Sequence, residues 1–279
     1  HSIGVVAKEM DMEVVSLDRD LQAKSKLYDY TSECHIQTDI MTWDYKSQFN
    51  EGDFYIITAS PVCLFWSKLR NTWIGRESKT IKPQGGIVSM DDLNADIEKY
   101  GKPMVDKVIE IIEFFKPSFY LIENPQTGSM KHYIAEKYPE YNTFYDVDYC
   151  KYSDWGYQKK TRFWTNIQDF KPKLCKKDCE NIITIKTQEG AVHTGYKTPI
   201  KGDTRTLHKS PMGDHTKAQH KVVLGNGYAI INGIKTLCNT KALRTKYKNS
   251  DYIPGGGSNR LERYRVPFPL IRELLECCL

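Results

Sequence analysis

Apolar residues in the first half of the chain follow two different periods. Short continuous runs read as buried strands: Glu13 to Leu17 ending at Asp18, Phe54 to Ala59 ending at Ser60-Pro61, and Phe119 to Ile122 ending at Glu123-Asn124-Pro125. Between the last two, Val105, Val108, Ile109, Ile112 and Phe115 recur at helical spacing from Pro103 onward. Lys107, Glu110 and Glu113 take the other face, and Lys116-Pro117 ends the run. Strand, helix and strand in repetition predict an α/β domain with a mostly parallel sheet covered by helices. In such sheets ligands gather beyond the carboxyl ends of the strands, where Asp18, Cys63 and Glu123 fall.

After Asn166 the chain becomes polar and weakly periodic. Tyr228 to Ile231, Asn232-Gly233 and Ile234 to Leu237 read as a hairpin whose Asn-Gly supplies the positive-φ turn. Pro254-Gly255-Gly256-Gly257-Ser258-Asn259 reads as a flexible connector. An apolar helix around Leu270-Ile271 and Leu274-Leu275 is expected to return to the first domain. The predicted organisation is residues 1–166 as a catalytic domain, 167–260 as a small second domain, and 261–279 as the returning segment. No internal repeat is visible.

Charge sharpens this division. Residues 1–166 hold 20 Lys and Arg against 25 Asp and Glu, whereas residues 167–260 hold 17 against 7. A basic block of this kind is the footprint of a polyanion-binding module, most often for nucleic acid. Composition excludes disorder, since 40% of the 279 residues are hydrophobic and 27% charged. No apolar run approaches the roughly 18 residues that cross a bilayer, and residues 2–9 lack the order of parts of a secretory signal. The chain is therefore read as soluble and intracellular, in a bacterial cytoplasm, an infected host cell or its nucleus. It begins with His1 rather than Met, so upstream residues are expected. The eight cysteines are too sparse for a disulfide framework and read mostly as reduced thiols.

Three motifs in order carry chemistry. Ala59-Ser60-Pro61-Val62-Cys63-Leu64-Phe65-Trp66-Ser67 is followed about 60 residues later by Glu123-Asn124-Pro125, then by Gln158-Lys159-Lys160-Thr161-Arg162. Together they resemble the cytosine-C5 DNA methyltransferase family, in the spelling of its phage and large-DNA-virus members. That family carries a Pro-Cys nucleophile loop, a Glu-Asn-Val or Glu-Asn-Pro motif and a Gln-x-Arg-x-Arg motif. It also has a proline-rich stretch before its last helix, which Tyr264 to Ile271 looks like.

The resemblance implies a Rossmann-like class I methyltransferase fold with a small basic target-recognition domain. It implies S-adenosylmethionine as cofactor and double-stranded DNA as partner, acting as a monomer with no obligate protein partner and no membrane. Cys63 would add to carbon 6 of a cytosine flipped out of the duplex. Glu123, raised in pKa by burial, would relieve charge at N3, Arg162 would hold O2, and Asn124 would brace the Pro61 to Cys63 loop. Ser2-Ile3-Gly4 looks like the tail of the family's Phe-x-Gly-x-Gly donor loop, which is not in this sequence. Ile3, Gly4, Asp18, Asp39, Ile40 and Pro61 are thus the cofactor candidates. Ser67, Lys68, Arg70 and Arg76, in a loop resembling the family's mobile DNA-closing loop, are the DNA candidates together with Gln158, Lys160, Arg205 and Arg244.

The spelling departs from the family twice. Val62 stands where many relatives have a second proline before the cysteine, and Lys160 replaces an arginine of the third motif, keeping charge but losing the planar fork. Val62→Pro is expected to preserve or raise turnover, provided the N–H of residue 62 is free. Two other readings stay open: a DNA-binding relative that has lost catalysis, and an RNA cytosine methyltransferase of the same fold. Cys175 and Cys179, with His193, His208, His215 and His220 downstream, allow a zinc site by spacing. The sequence lacks a tight histidine pair at the usual offset, so no metal is assigned and these thiols are read as unligated.

Overall fold

The computed structural model describes residues 2–19, 34–153, 159–176, 178–179, 182–186, 204–208, 228–231, 234–237 and 266–279. The chain divides into two compact units. The first is His1–Val147 with Lys160–Lys173 and Phe268–Leu279; the second is Asp148–Lys159 with Leu174–Pro267. The stretch Asp148–Lys159, placed before residue 166 by the charge profile, therefore goes with the second unit. The last residues go with the first.

In the first unit, helix α1 (Ser2–Glu9) leads to β1 (Val15–Asp18) and β2 (Cys34–Gln37), which pair in parallel. Then come β3 (Ile56–Ala59), α2 (Met90–Asp96), α3 (Lys102–Phe115), β4 (Phe119–Pro125), α4 (Met130–Lys137), β5 (Phe144–Asp148), β6 (Lys160–Thr165) and α5 (Phe268–Glu276). A second sheet of this unit has the order β3-β4-β6-β5. Its β3 and β4 are parallel and its β6 is antiparallel to β4, so the sheet is mixed rather than mostly parallel. A helical crossover keeps β3 and β4 parallel. Between β5 and β6 the described residues contain only a 3-10 turn, Tyr149–Lys151, and β6 runs back beside β4.

β4 is one of the two interior strands of this sheet, and its Tyr120, Leu121 and Ile122 are buried in succession, as a strand covered on both faces requires. α3 lays Val105, Val108, Ile109 and Ile112 against Ile122, Met130, Ile134 and Trp164. It ends at Lys116, whose φ of 47° and N–H bond to the Ile112 carbonyl at 2.9 Å close the last turn before Pro117. A π-helical turn, Ile97–Gly101, joins α2 to α3. α5 is tied to the same unit by Arg272 with Glu9 at 2.5 Å and by the Tyr55 hydroxyl donating to the Cys278 carbonyl at 2.8 Å.

The second unit holds a sheet of order β8-β7-β10-β9, from β7 (Ile182–Lys186), β8 (Thr204–His208), β9 (Tyr228–Ile231) and β10 (Ile234–Leu237). β9 and β10 are antiparallel with Ile231 opposite Ile234, the register of a two-residue hairpin. Its turn, Asn232-Gly233, and the connector at 254–259 lie outside the described residues. No helix among the described residues is long and apolar enough to cross a membrane.

Leu275 of α5 is 2% exposed, while Leu279 just beyond the helix is 80% exposed. Leu275→Ala should cost about 3 kcal/mol of stability, and Leu279→Ala less than about 0.5 kcal/mol. Urea denaturation of the two variants beside the parent checks both, and equal losses would contradict this docking of α5.

Candidate functional site

The carboxyl ends of β3 and β4 lie side by side because Ala59 pairs with Ile122. Just past that pair stand Ser60-Pro61, after β3, and Glu123-Asn124, at the end of the ladder of β4. Asn124 is 1% exposed, and its Nδ2 donates to the Pro61 carbonyl at 2.9 Å. Cys63 follows in a turn closed by the Trp66 N–H donating to the Cys63 carbonyl at 3.2 Å, and it is half-buried.

Trp66 anchors the far side of that turn. Its ring is buried among Val105, Ile122, Met130 and Trp164 and stacks on Tyr133 with centroids 5.7 Å apart. Its carbonyl accepts from the Ser129 N–H at 2.9 Å. Two glycines admit it: a Cβ on Gly101 would lie 3.1 Å from the indole ring, and one on Gly128 would lie 3.2 Å from the Pro125 carbonyl and 3.3 Å from that of Trp66. The N–H of Val62 donates to the Met104 sulfur at 3.3 Å. It is therefore engaged, which removes the condition on which a proline at 62 was expected to be harmless.

Glu123 is half-buried in β4 rather than enclosed. Arg162 of β6 lies opposite Asn124 in the antiparallel register, and Phe163 lies opposite Glu123. Adjacent residues of a strand point to opposite faces, so the register does not set Arg162 and Glu123 across from one another. The Arg162 guanidinium is instead gripped by Asp146 of β5, with Nε donating to Oδ1 at 2.7 Å and Nη2 to Oδ2 at 2.8 Å. It also stacks 3.4 Å from the Phe144 ring centre. Gln126 Nε2 donates to Asp146 Oδ2 at 3.0 Å. Burial raises the Asp146 pKa, but the hydrogen bonds from Arg162 and Gln126 and the Arg162 charge outweigh it and hold the carboxyl below its ordinary value. Sequence reasoning missed Asp146; the one signal was the polar alternation of Asp146 and Asp148 in an otherwise strand-like run.

The loop after Cys63 carries local structure of its own. Ser67 caps a 3-10 helix, Lys68–Trp73, by accepting from the Leu69 N–H at 3.3 Å. Gly75 and Arg76 pair with Val88 through bonds of 2.9 Å. Arg70, expected on the DNA side, is 6% exposed, ion-paired with Asp96 and near the Phe65 ring, because this charge is spent holding the loop to α2. Lys68, Arg76 and Lys79 are exposed, beside exposed Leu69, Trp73, Ile74 and Ile87. Lys160 is exposed at the start of β6; Arg205 lies in β8 opposite Ile185. Gln158 and Arg244 lie outside the described residues.

Asp18 and Asp39 stand just at and beyond the ends of the neighbouring strands β1 and β2, tied by the Thr38 N–H donating to the Asp18 carbonyl at 3.1 Å. Asp39 Oδ1 accepts from the Met41 N–H at 2.9 Å. Ile40 packs on the apolar core, Pro61 is buried, and Ile3 and Gly4 belong to the first turn of α1.

The Arg162–Asp146 pair is mostly buried, with side chains 11% and 20% exposed. Asp146→Asn should cost about 2 kcal/mol at pH 7. Because the folded-state pKa is lowered, the pair's contribution is full above the ordinary aspartate value of about 3.8 and is lost as pH falls through the folded value. Denaturation curves at neutral and acid pH should show the variant losing less stability than the parent on acidification; parallel losses would refute this.

No family model matches the chain. A probable DNA (cytosine-5)-methyltransferase of Frog virus 3 (isolate Goorha) is 42% identical over 146 residues, which are 52% of this chain and 62% of that relative. The chain thus matches under two thirds of the relative's length. Over that stretch it is similar to a protein of the family that its Cys63, Glu123-Asn124-Pro125 and Arg162 motifs resemble.

Proposed function

We propose that the chain is a DNA cytosine-C5 methyltransferase in which Cys63 is the nucleophile. The observation that carries this reading is the 2.9 Å bond from buried Asn124 to the Pro61 carbonyl. It ties the loop of a half-buried thiol to the strand end that bears a carboxyl group, at the edge where α/β sheets bind ligands. Similarity to the viral relative agrees with it.

Carbon 5 of cytosine is too poor a nucleophile to be methylated directly. The Cys63 thiolate forms a bond to carbon 6, the C5–C6 π bond breaks with its pair shifting onto C5 and through C4 toward N3, and Glu123, as the acid, hydrogen-bonds N3 to offset the charge. Once C5 carries the methyl group, its proton leaves to solvent and the C6–S bond breaks to release the Cys63 thiolate, which restores the C5–C6 double bond. Reaching carbon 6 in a duplex requires the base to be flipped out. S-adenosylmethionine, when bound, supplies the electrophilic methyl group. Asp18 and Asp39 offer carboxylates at adjacent strand ends, an acceptor set suited to a nucleoside's hydroxyl and amino donors, and would hold it. Arg162 orients the base through O2 only after sharing or leaving Asp146. Exposed Lys68, Arg76 and Lys79 give salt-dependent phosphate contacts, and the basic segment 167–260 serves as the target-recognition domain.

Duplex DNA carrying 5-fluorocytosine should trap the protein as a stable adduct, because the fluorine blocks loss of the C5 proton. Cys63→Ala should abolish trapping with an unchanged denaturation curve; DNA binding without trapping by the parent would favour a non-catalytic relative and sink the proposal. Val62→Pro removes a donor to a thioether, a weak acceptor. Methylation by Val62→Pro should fall, but by less than tenfold, or about 1.4 kcal/mol of barrier, and Met104→Leu should show a similar fall. An increase in rate with Val62→Pro would show that the bond to Met104 constrains nothing.

A further inference from the structure

The second unit contains a thiol cluster that neither the three motifs nor the proposed chemistry uses. Cys150 sits in the 3-10 turn Tyr149–Lys151 and is buried; Cys175 and Cys179 come from the segment beginning at Leu174. The three sulfur atoms lie within 4.8 Å of one another. Spacing in the sequence offered Cys175 and Cys179 with downstream histidines and did not include Cys150, which folding brings to the pair.

We propose that Cys150, Cys175 and Cys179 supply three of the four ligands of a structural zinc site. Three thiolates bound to one zinc at about 2.3 Å stand about 3.8 Å apart on a tetrahedral face, so the separation here needs only a small contraction. A disulfide would use two of the thiols and leave the third stranded; a metal uses all three. The two segments are also positioned before any ion binds. The Cys175 N–H donates to Asp148 Oδ2 at 2.8 Å, Lys151 pairs with Asp178 at 3.2 Å, and the Lys176 N–H donates to Asp178 Oδ1 at 3.0 Å. Three thiolates and one zinc ion carry a net negative charge, and Lys151, adjacent to Cys150 and bridged to Asp178, lies where it offsets it. Bound metal would staple Asp148–Lys159, the stretch leading into β6, to the segment that begins at Leu174. This revises the sequence reading of unligated thiols.

The full chain, purified under reducing conditions with zinc supplied and excess removed by gel filtration, should retain about one zinc per chain. Cys150→Ser, Cys175→Ser and Cys179→Ser should each reduce this to near none, whereas Cys34→Ser and Cys277→Ser should not. If a serine variant fails to fold, the parent protein decides. Zinc should protect peptides containing Cys150, Cys175 and Cys179, but not Cys34, from alkylation as read by mass spectrometry. Cobalt in place of zinc should give thiolate charge-transfer absorption of a three- or four-sulfur site. No retained zinc, unchanged alkylation, or a cobalt spectrum with fewer than three thiolates would overturn the site. None of these measurements depends on methyl transfer, so they stand or fall separately from the function proposed above.

Discussion

The turn that bears Cys63 is held by its two flanking carbonyls, Pro61 accepting from Asn124 and Trp66 accepting from Ser129. Both donors sit on or just after β4, an interior strand of its sheet. A loop fixed at both ends loses little further entropy in holding the side chain it carries in one place. The arrangement depends on space as well as bonds. The Trp66 ring and carbonyl approach Gly101 and Gly128 so closely that a Cβ on either would press on them at 3.1 and 3.3 Å. The π-helical turn Ile97–Gly101 brings Gly101 to the ring, so irregular backbone between α2 and α3 serves the candidate site directly.

The mixed sheet bears on how the third motif works. β6 lies antiparallel to β4, and its register sets Arg162 opposite Asn124 with Asp146 of β5 on its other side. A bidentate arginine–carboxylate pair is strong and geometrically specific. Arg162 is thus held in one orientation, and its charge is largely neutralised. Arg70 shows the same economy in the loop after Cys63, where ion-pairing with Asp96 converts a basic side chain into an anchor. The cations left on that loop's surface, Lys68, Arg76 and Lys79, stand among exposed apolar side chains, a mixture suited to phosphates and to the apolar faces of nucleic acid.

Much of the framework was legible from local pattern. The period of α3, the apolar run of β4 and the Asn-Gly between β9 and β10 report on neighbours a few residues apart, and such neighbours are set by the backbone period itself. The order of Cys63, Glu123-Asn124-Pro125 and Arg162 was equally visible, because it is written in the residues themselves. The direction of β6 was not, since strand direction depends on how the connecting chain returns, and that stretch belongs with the other unit.

What only the tertiary structure decided is which groups meet. Nothing in the spelling of Arg162 or Arg70 names Asp146 or Asp96 as partner, because an ion pair forms wherever folding brings opposite charges together out of water. Val62 reads as a missing proline until the Met104 sulfur is found against its N–H. Cys150 reads as an isolated apolar thiol until Cys175 and Cys179 are found beside it. The sequence determines the elements and the chemical types at their ends through local period and residue chemistry. Packing alone determines their pairing, because contacts between distant segments depend on the register and close approach of surfaces that no local pattern records.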